Sequence, residues 1–285
     1  MRRVIITYHE SFSRRSYLTQ GTRLSDFPEV LNDILQNPEY EIVHVSAAPE
    51  EWILKVHSPR HIDQVRMDPL CSTAWHSVGS VVTAMKAVAE GRAHRAFALI
   101  GAGGHHAGKD YFWGYCCFND VVIGIRVLRD EGLARKFAII DTDAHHGDGT
   151  RELVQNDPQV LHCCVCSRDY TSRDGTKVDL SAFRILSGCG TEKERNKAYA
   201  NAIKDNFVPL IYSFAPDMLI WYFGFDTHRG DYGDLGLTMD AYLSIAKTLR
   251  ETAVEVCDGR FVVVLGGGSR RDLASQLIPP IIKSL

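Results

Sequence analysis

The sequence lacks the features that mark membrane-spanning and nucleic-acid-binding proteins. Among its 285 residues no apolar run is long enough to cross a bilayer, and no run is rich in Lys and Arg. The formal net charge is -3, so the composition indicates no attraction to phosphates or to an anionic surface. We therefore expect neither a nucleic acid nor a membrane among the partners of this chain.

Paired CxxC motifs are also absent, although the chain contains eight cysteines. Two clusters, Cys116–Cys117 and Cys163–Cys166, lie in apolar segments and show no regular disulfide spacing. Without paired motifs, a four-cysteine zinc site is not expected. The pattern predicts reduced, mostly buried thiols in a cytoplasmic protein.

No linker rich in Gly, Pro or Ser interrupts the chain, and no repeat is present, so residues 1–285 are predicted to form one α/β domain. Short, nearly continuous apolar runs predict strands that are buried on both faces of a mainly parallel sheet. The predicted strands are Val4–Tyr8 (read as a strand, not as a signal peptide), Glu41–Val45, Ala96–Ile100, Phe137–Ile140, Val160–Cys166, Met218–Phe223 and Phe261–Leu265.

Amphipathic stretches between these runs predict helices. One covers Val78–Glu90, a second begins at the N-cap Asn119 and ends near Gly132, and a third begins at Thr238. The polar stretch Ser167–Gly190 shows neither the periodicity of a helix nor that of a strand, and it is predicted to be a long surface loop.

Gly, His and Asp are concentrated directly after four of the predicted strands. The segments are GAGGHHAGKD after Ile100, DTDAHHGDGT after Ile140, GFDTHRGD after Phe223 and GGGSRRD after Leu265. Parallel α/β sheets form their binding sites at the carboxyl ends of the strands. The four loops are therefore expected to converge on one site.

Alternating acidic and imidazole residues after the fourth predicted strand indicate a metal site. Asp141, Asp143 and His145 point to one side if the backbone is extended. Asp226, at another strand end, is the best source of a further carboxylate. Three protein ligands leave an open position, as in catalytic zinc sites. Such residues also cap helices, but their number here favours the metal.

The adjacent pair His105 and His106 suits proton transfer better than joint ligation of one ion. A neutral imidazole beside an activated water accepts its proton and later passes it to a leaving amine. Each ring needs a carboxylate that fixes its tautomer, and Asp141 and Asp148 are available for this.

Five motifs, in order, resemble those of the histone deacetylase and acetoin-utilisation family. They are VHSPRHIDQV, GGHHAGKDYFWGYCCFND, DTDAHHGDGT, GFDTHRGD and LGGGS. The similarity runs from Tyr8 to about Leu273. It implies the arginase–deacetylase fold, an α/β architecture with a central parallel sheet of about eight strands. It also implies a zinc-dependent amidohydrolase that acts on an acyl-amide.

The resemblance also implies roles for the polar residues. His106 is similar to the general base and acid of the family and Asp148 to its supporting carboxylate, while His105, paired with Asp141, is similar to the electrostatic partner. The implied Zn²⁺ ligands are Asp143, His145 and Asp226.

A structural K⁺ ion is implied near Asp141, with backbone carbonyls around Asp143 and His145. Cys164 stands where the family usually has a serine ligand, which departs from that pattern. Two residues match the wall of the acyl channel, and two belong to the glycine run. These candidate substrate-binding residues are Gly114, Tyr115, Gly267 and Gly268.

One family feature is missing. The tyrosine that polarises the acyl carbonyl follows the glycine run in the family, whereas this chain has Ser269 and Arg270 there. Removing one such donor typically costs about 10²–10³ in rate. Ser269 and Arg270 are candidate replacements, and Arg270 alternatively binds a substrate carboxylate or lies on a helix surface. Tyr111, Tyr115 and Tyr222 are further phenols.

Two functions therefore stay open. The first is a deacetylase-like hydrolase acting on acetyl-lysine, an acetylpolyamine or another small acylated amine. The second is a zinc protein that binds acylated ligands with little or no turnover. The intact histidine pair and ligand set favour the enzyme, and the oligomeric state is not predicted.

Overall fold

A sheet of nine strands forms the centre of the protein within residues 3–14 and 22–285, which the computed structural model describes. The strands are β1 (Val4–Tyr8), β2 (Tyr40–His44), β3 (Arg95–Ala98), β4 (Phe137–Asp141), β5 (Val160–Cys166), β6 (Tyr170–Thr171), β7 (Lys177–Ser181), β8 (Met218–Phe223) and β9 (Phe261–Leu265). Their spatial order is β2-β1-β3-β9-β8-β4-β5-β7-β6. All neighbours are parallel except β6 and β7, so eight parallel strands carry one short antiparallel edge strand.

Helices connect and cover these strands. They are α1 (Ser11–Arg14), α2 (Asn32–Leu35), α3 (Glu50–Ile53), α4 (Pro59–Met67), α5 (Ala74–Ala89), α6 (Asp120–Asp130), α7 (Asp148–Val154), α8 (Ala182–Leu186), α9 (Glu192–Ala202), α10 (Val208–Phe214), α11 (Met239–Cys257) and α12 (Arg271–Ser284). Helix α5 packs on β1, β3 and β9, and α11 packs on β8. Within the described residues, no helix has the length and apolar character that a membrane span requires.

The predicted two-faced burial is confirmed for six of the seven predicted strands, whereas the edge strand β2 is only partly buried. Every residue of β5, β8 and β9 is buried, including Trp221 at 0% exposure. Four of the seven predicted strands have the observed bounds, and the other three differ by one or two residues at one or both ends. Seven of the eight cysteines are buried, as expected for thiols in apolar segments.

The prediction of a surface loop over Ser167–Gly190 is wrong. This stretch contains β6, β7 and α8, and every residue of β7 is buried. The Lys177 ammonium donates to the backbone carbonyls of Asp157 and Val160, and Asp179 accepts from Arg151. The charges of β7 are thus satisfied by distant partners, which a local sequence pattern does not reveal.

Asn119 begins α6 as predicted and also ties this helix to two neighbouring loops. Its side-chain oxygen accepts the N–H of Val122 at 3.2 Å. Its amide nitrogen donates to the carbonyl of Ala107 at 3.1 Å and to the Thr150 hydroxyl at 3.0 Å. One buried side chain therefore joins the starts of α6 and α7 to the loop that carries the histidine pair.

We expect Asn119→Ala to lower the free energy of unfolding by about 2–4 kcal/mol, because it removes an N-cap and leaves the buried groups of Ala107 and Thr150 unpaired. Thr191→Ala is the matched control, since Thr191 caps α9 at an exposed site. That change should cost only about 1 kcal/mol. Denaturant unfolding measures both, and equal losses would contradict the bridging role of Asn119.

Candidate active site

The four polar strand ends converge as the sequence predicts. They belong to β3, β9, β8 and β4, which are adjacent at the centre of the sheet. Their loops enclose a cavity of about 350 Å³. The sequence-predicted residues in its wall are His105, His106, Gly114, Tyr115, Asp143, His145, Tyr222, Gly267 and Ser269.

Asp143 and His145 line this cavity, and the fully buried Asp226 lies next to them. Nδ1 of His145 is 3.2 Å from Oδ1 of Asp143 and 3.1 Å from Oδ2 of Asp226. Ligand atoms bound tetrahedrally to Zn²⁺ at its usual bond lengths are about 3.3–3.5 Å apart. The three side chains are therefore spaced as ligands of one ion, and their donor types are those that Zn²⁺ accepts.

The charges at this centre also call for a cation. Asp143 and Asp226 are 2% and 0% exposed, and Oδ2 of Asp226 accepts no well-aligned hydrogen bond. Burial, together with the neighbouring Asp143, raises the pKa of Asp226 to about 7. The adjacent carboxylates of Asp143 and Asp226 raise the pKa of His145 to about 10. A bound divalent ion would remove the repulsion between the carboxylates.

A second cluster of possible ligands fits a cation less well. It consists of His146, Cys166 and Asp179. The Asp179 carboxylate accepts from Arg151 at 2.6 Å and from Arg168 at 3.3 Å. Two guanidinium groups beside the same carboxylate oppose a further positive ion. The first cluster is therefore the candidate metal centre.

Each member of the histidine pair contacts the carboxylate expected for it. Nδ1 of His105 is 3.0 Å from Asp141, and Nδ1 of His106 is 2.6 Å from Asp148. Burial disfavours the charged form of His105, but Asp143 and Asp141 outweigh it and raise the pKa of His105 to about 9. The carboxylates around His105 thus favour the charged form of its imidazole.

His106 has the opposite character. Burial, reinforced by the neighbouring His105, lowers the pKa of His106. The ring is therefore neutral near pH 7, and with Nδ1 donating to Asp148 its Nε2 keeps a lone pair. The Trp113 ring lies 3.9 Å from the His106 ring, and its indole N–H donates to Asp148 at 3.0 Å. This arrangement suits a general base.

The glycine run packs directly against the metal centre. The N–H of Gly267 donates to Asp143 at 2.7 Å, and a β-carbon on Gly267 would lie 2.6 Å from the same carboxylate. The buried guanidinium of Arg23 donates to the carbonyls of Gly266 and Gly268. Only glycine therefore fits at position 267, beside the Asp143 carboxylate. Sequence reasoning missed Arg23, which no local motif marks.

Gly114 and Tyr115 form the opposite wall. Both have positive φ, 56° and 62°, and a β-carbon on Gly114 would lie 2.6 Å from the His106 ring. Glycine adopts this conformation without strain, whereas it is uncommon for a bulky residue. The turn therefore brings backbone close to the histidine and places Tyr115 in the cavity wall.

The structure does not bring Arg270 to the cavity. Its guanidinium is exposed and pairs with Asp272 and the carbonyl of Gly230. Ser269 does reach the wall, but its hydroxyl donates to Asp231 at 3.1 Å. The backbone N–H groups of Ser269 and Arg270 donate to the same carboxylate. Asp231 therefore fixes the segment that follows the glycine run.

A phenol that sequence reasoning missed lines the cavity. Of the three considered, Tyr222 is 2% exposed and accepts from the N–H of Gly104, Tyr115 lies in the wall, and Tyr111 packs against Gly108 outside it. The missed residue is Tyr232. Its place directly after the GFDTHRGD motif was the available signal.

Comparison with known proteins identifies the family. Residues 67–285 match the family model described as the histone deacetylase domain. The chain belongs to the histone deacetylase family. This membership supports a deacetylase-type hydrolase. The crystal structure of the HDA15 HD domain superposes with a TM-score of 0.82 at 22% identity, covering 99% of this chain and 87% of the other. That likeness confirms the predicted arginase–deacetylase fold.

Two relatives share 27% and 31% of the aligned residues. Histone deacetylase 4 of Caenorhabditis elegans is 31% identical over 72% of this chain, and a probable deacetylase of Archaeoglobus fulgidus is 27% identical over 92%. The alignment spans 25% of the former protein and 80% of the latter. The chain thus corresponds to about a quarter of the larger relative.

We expect Zn²⁺ to bind the zinc-free protein and to raise its melting temperature, because an ion that binds only the folded state stabilises it. Asp226→Asn should weaken zinc binding by more than about 100-fold, since it removes a charged ligand. His146→Ala, in the second cluster, should leave the affinity unchanged. Calorimetric titration measures both variants, and an equal loss for His146→Ala would reject the assignment of the centre.

Asp120 gives the site a pH-dependent stability. It lies against Gly104 beneath the histidine pair, is 1% exposed, and its Oδ2 has no hydrogen-bond partner among the described residues. Burial raises the pKa of Asp120 to about 7. An acid whose pKa is higher in the folded state favours folding at low pH, and this contribution is lost as the pH rises from about 4 through 7.

We expect Asp120→Asn, which is neutral at every pH, to stabilise the protein at pH 8 and to have less effect at pH 5. Urea unfolding at the two pH values measures the difference. The same change in stability at both would show that Asp120 does not titrate in this range.

Proposed function

We propose that this chain is a zinc-dependent amidohydrolase that removes an acetyl or related acyl group from an amine. The observation that carries the proposal is the shared cavity: a neutral His106 with a supporting carboxylate faces the same space as Asp143 and His145, and Asp226 lies directly beside them. When bound, Zn²⁺ would polarise the acyl carbonyl and lower the pKa of a water molecule to about 7.

The protein's own residues would handle the protons. Nε2 of His106 takes a proton from the attacking water and later gives it to the leaving amine, while Asp148 keeps Nδ1 protonated. Trp113 holds Asp148 through its second oxygen. The positive charge of His105, held by Asp141, stabilises negative charge that develops on the substrate.

The substrate class follows from the wall of the cavity. Gly114, Tyr115 and Trp113 offer a mostly apolar passage, which suits the acyl group and an alkyl chain behind it. Acetyl-lysine, an acetylpolyamine and a small acylated amine all have this form. No nucleic acid or membrane is needed as a partner.

We also retain the implied K⁺ ion beside the metal centre. Cys164 stands opposite Asp141 in the register of β4 and β5. A thiol there is a poorer K⁺ ligand than the serine hydroxyl of the family, so backbone carbonyls and Asp141 would carry most of the coordination.

One observation favours a second function, a zinc protein that binds acylated ligands with little turnover. Ser269 replaces the family's tyrosine, and its hydroxyl is already engaged by Asp231. Ser269 therefore does not replace the tyrosine as a hydrogen-bond donor to a substrate carbonyl.

We expect the zinc-loaded protein to hydrolyse at least one member of a panel of acetyl-lysine peptides, acetylpolyamines and small acylamides. His106→Ala should lower kcat by about 10²–10⁴, because proton transfer is lost. Release of free amine measures turnover, and His146→Ala is the control. Tight binding of zinc and of acylated ligands without any release would select the second function.

A further inference from the structure

We propose that Tyr232 is a catalytic residue whose phenol donates a hydrogen bond to the acyl carbonyl oxygen, the task of the tyrosine that is absent at position 269. This inference rests on the proposed hydrolase function. It assigns the oxyanion donor to a different loop, the one that follows β8 and Asp226.

The hydroxyl of Tyr232 lies where a carbonyl donor is needed. A β-carbon built on Gly267 would lie 2.6 Å from this hydroxyl, 2.6 Å from Oδ2 of Asp143 and 2.9 Å from Oδ2 of Asp226. The phenol and the two metal-centre carboxylates thus surround one small volume. The residue lines the cavity, and its ring stacks against His145 with centroids 5.7 Å apart.

The phenol also keeps its proton available. Its oxygen accepts the N–H of Gly268 at 3.0 Å, and its own O–H has no acceptor among the residues that the structure describes. The O–H is therefore free to donate to a substrate oxygen.

The neighbouring Asp231 explains why position 269 no longer supplies the donor. Its carboxylate accepts from the backbone N–H groups of Ser269 and Arg270 and from the Ser269 hydroxyl. The side chain at 269 is thereby held toward the loop that follows β8. Asp231 thus fixes Ser269, and the next residue, Tyr232, places its phenol in the cavity wall.

Tyr232→Phe tests the proposal because it removes the hydroxyl and keeps the ring. We expect kcat to fall about 10²–10³-fold with KM changed less than about twofold, as for loss of an oxyanion-hole donor. The affinity of the zinc-loaded protein for a trifluoromethyl ketone analogue of the substrate, which mimics the tetrahedral oxyanion, should fall by a similar factor. Zinc affinity should not change, and the melting temperature should fall by only a few degrees, because the N–H of Gly268 loses its acceptor.

Tyr212→Phe is the matched control, since Tyr212 is exposed on α10, away from the cavity, and its hydroxyl bonds to Glu255. Unchanged kcat and ketone affinity in Tyr232→Phe would overturn the proposal. A variant that binds the ketone and the substrate equally more weakly and is also clearly less stable would overturn it too. That result would indicate that the phenol only positions Gly268. If the native protein binds the ketone but hydrolyses no amide, the hydrolase function fails, while the affinity ratio still decides the role of Tyr232.

Discussion

Two carboxylates buried at the ends of neighbouring strands impose the central constraint on this protein. Asp143 and Asp226 are almost fully removed from water, and the charges about them are the imidazoles of His145 and His105. Burying two like charges so close together is costly unless a cation lies between them. The surrounding loops bring hydrogen-bond donors and imidazoles to these two carboxylates, where they compensate the negative charge.

The glycines around the centre follow from the same constraint. Gly224 and Gly267 approach the carboxylates so closely that a β-carbon on either would lie 2.6 Å from a carboxylate oxygen. Gly267 also contributes a backbone N–H to Asp143. Backbone, not side chains, therefore packs the floor of the cavity, and the buried guanidinium of Arg23 holds that backbone in place from behind.

The sequence predicted the fold and the convergence of the four loops, because two-faced burial and polar strand ends are local properties. Prediction failed where groups far along the chain determine whether a residue is buried and what it contacts. Lys177 and Asp179 appeared typical of an exposed loop, yet they are buried beside groups far along the chain. Arg270 appeared able to reach the substrate, but a local pair with Asp272 keeps it at the surface. Tyr232 was missed because its position becomes meaningful only when Gly268 lies next to it.

The contact between Trp113 and Asp148 has a consequence for how the site responds to its ligand. The indole is 50% exposed at the rim and donates to the carboxylate that orients His106. A molecule that covers the indole removes water from this carboxylate, and hydrogen bonds in drier surroundings are electrostatically stronger. In the proposed mechanism, occupancy of the entrance would therefore strengthen the contact between Asp148 and His106.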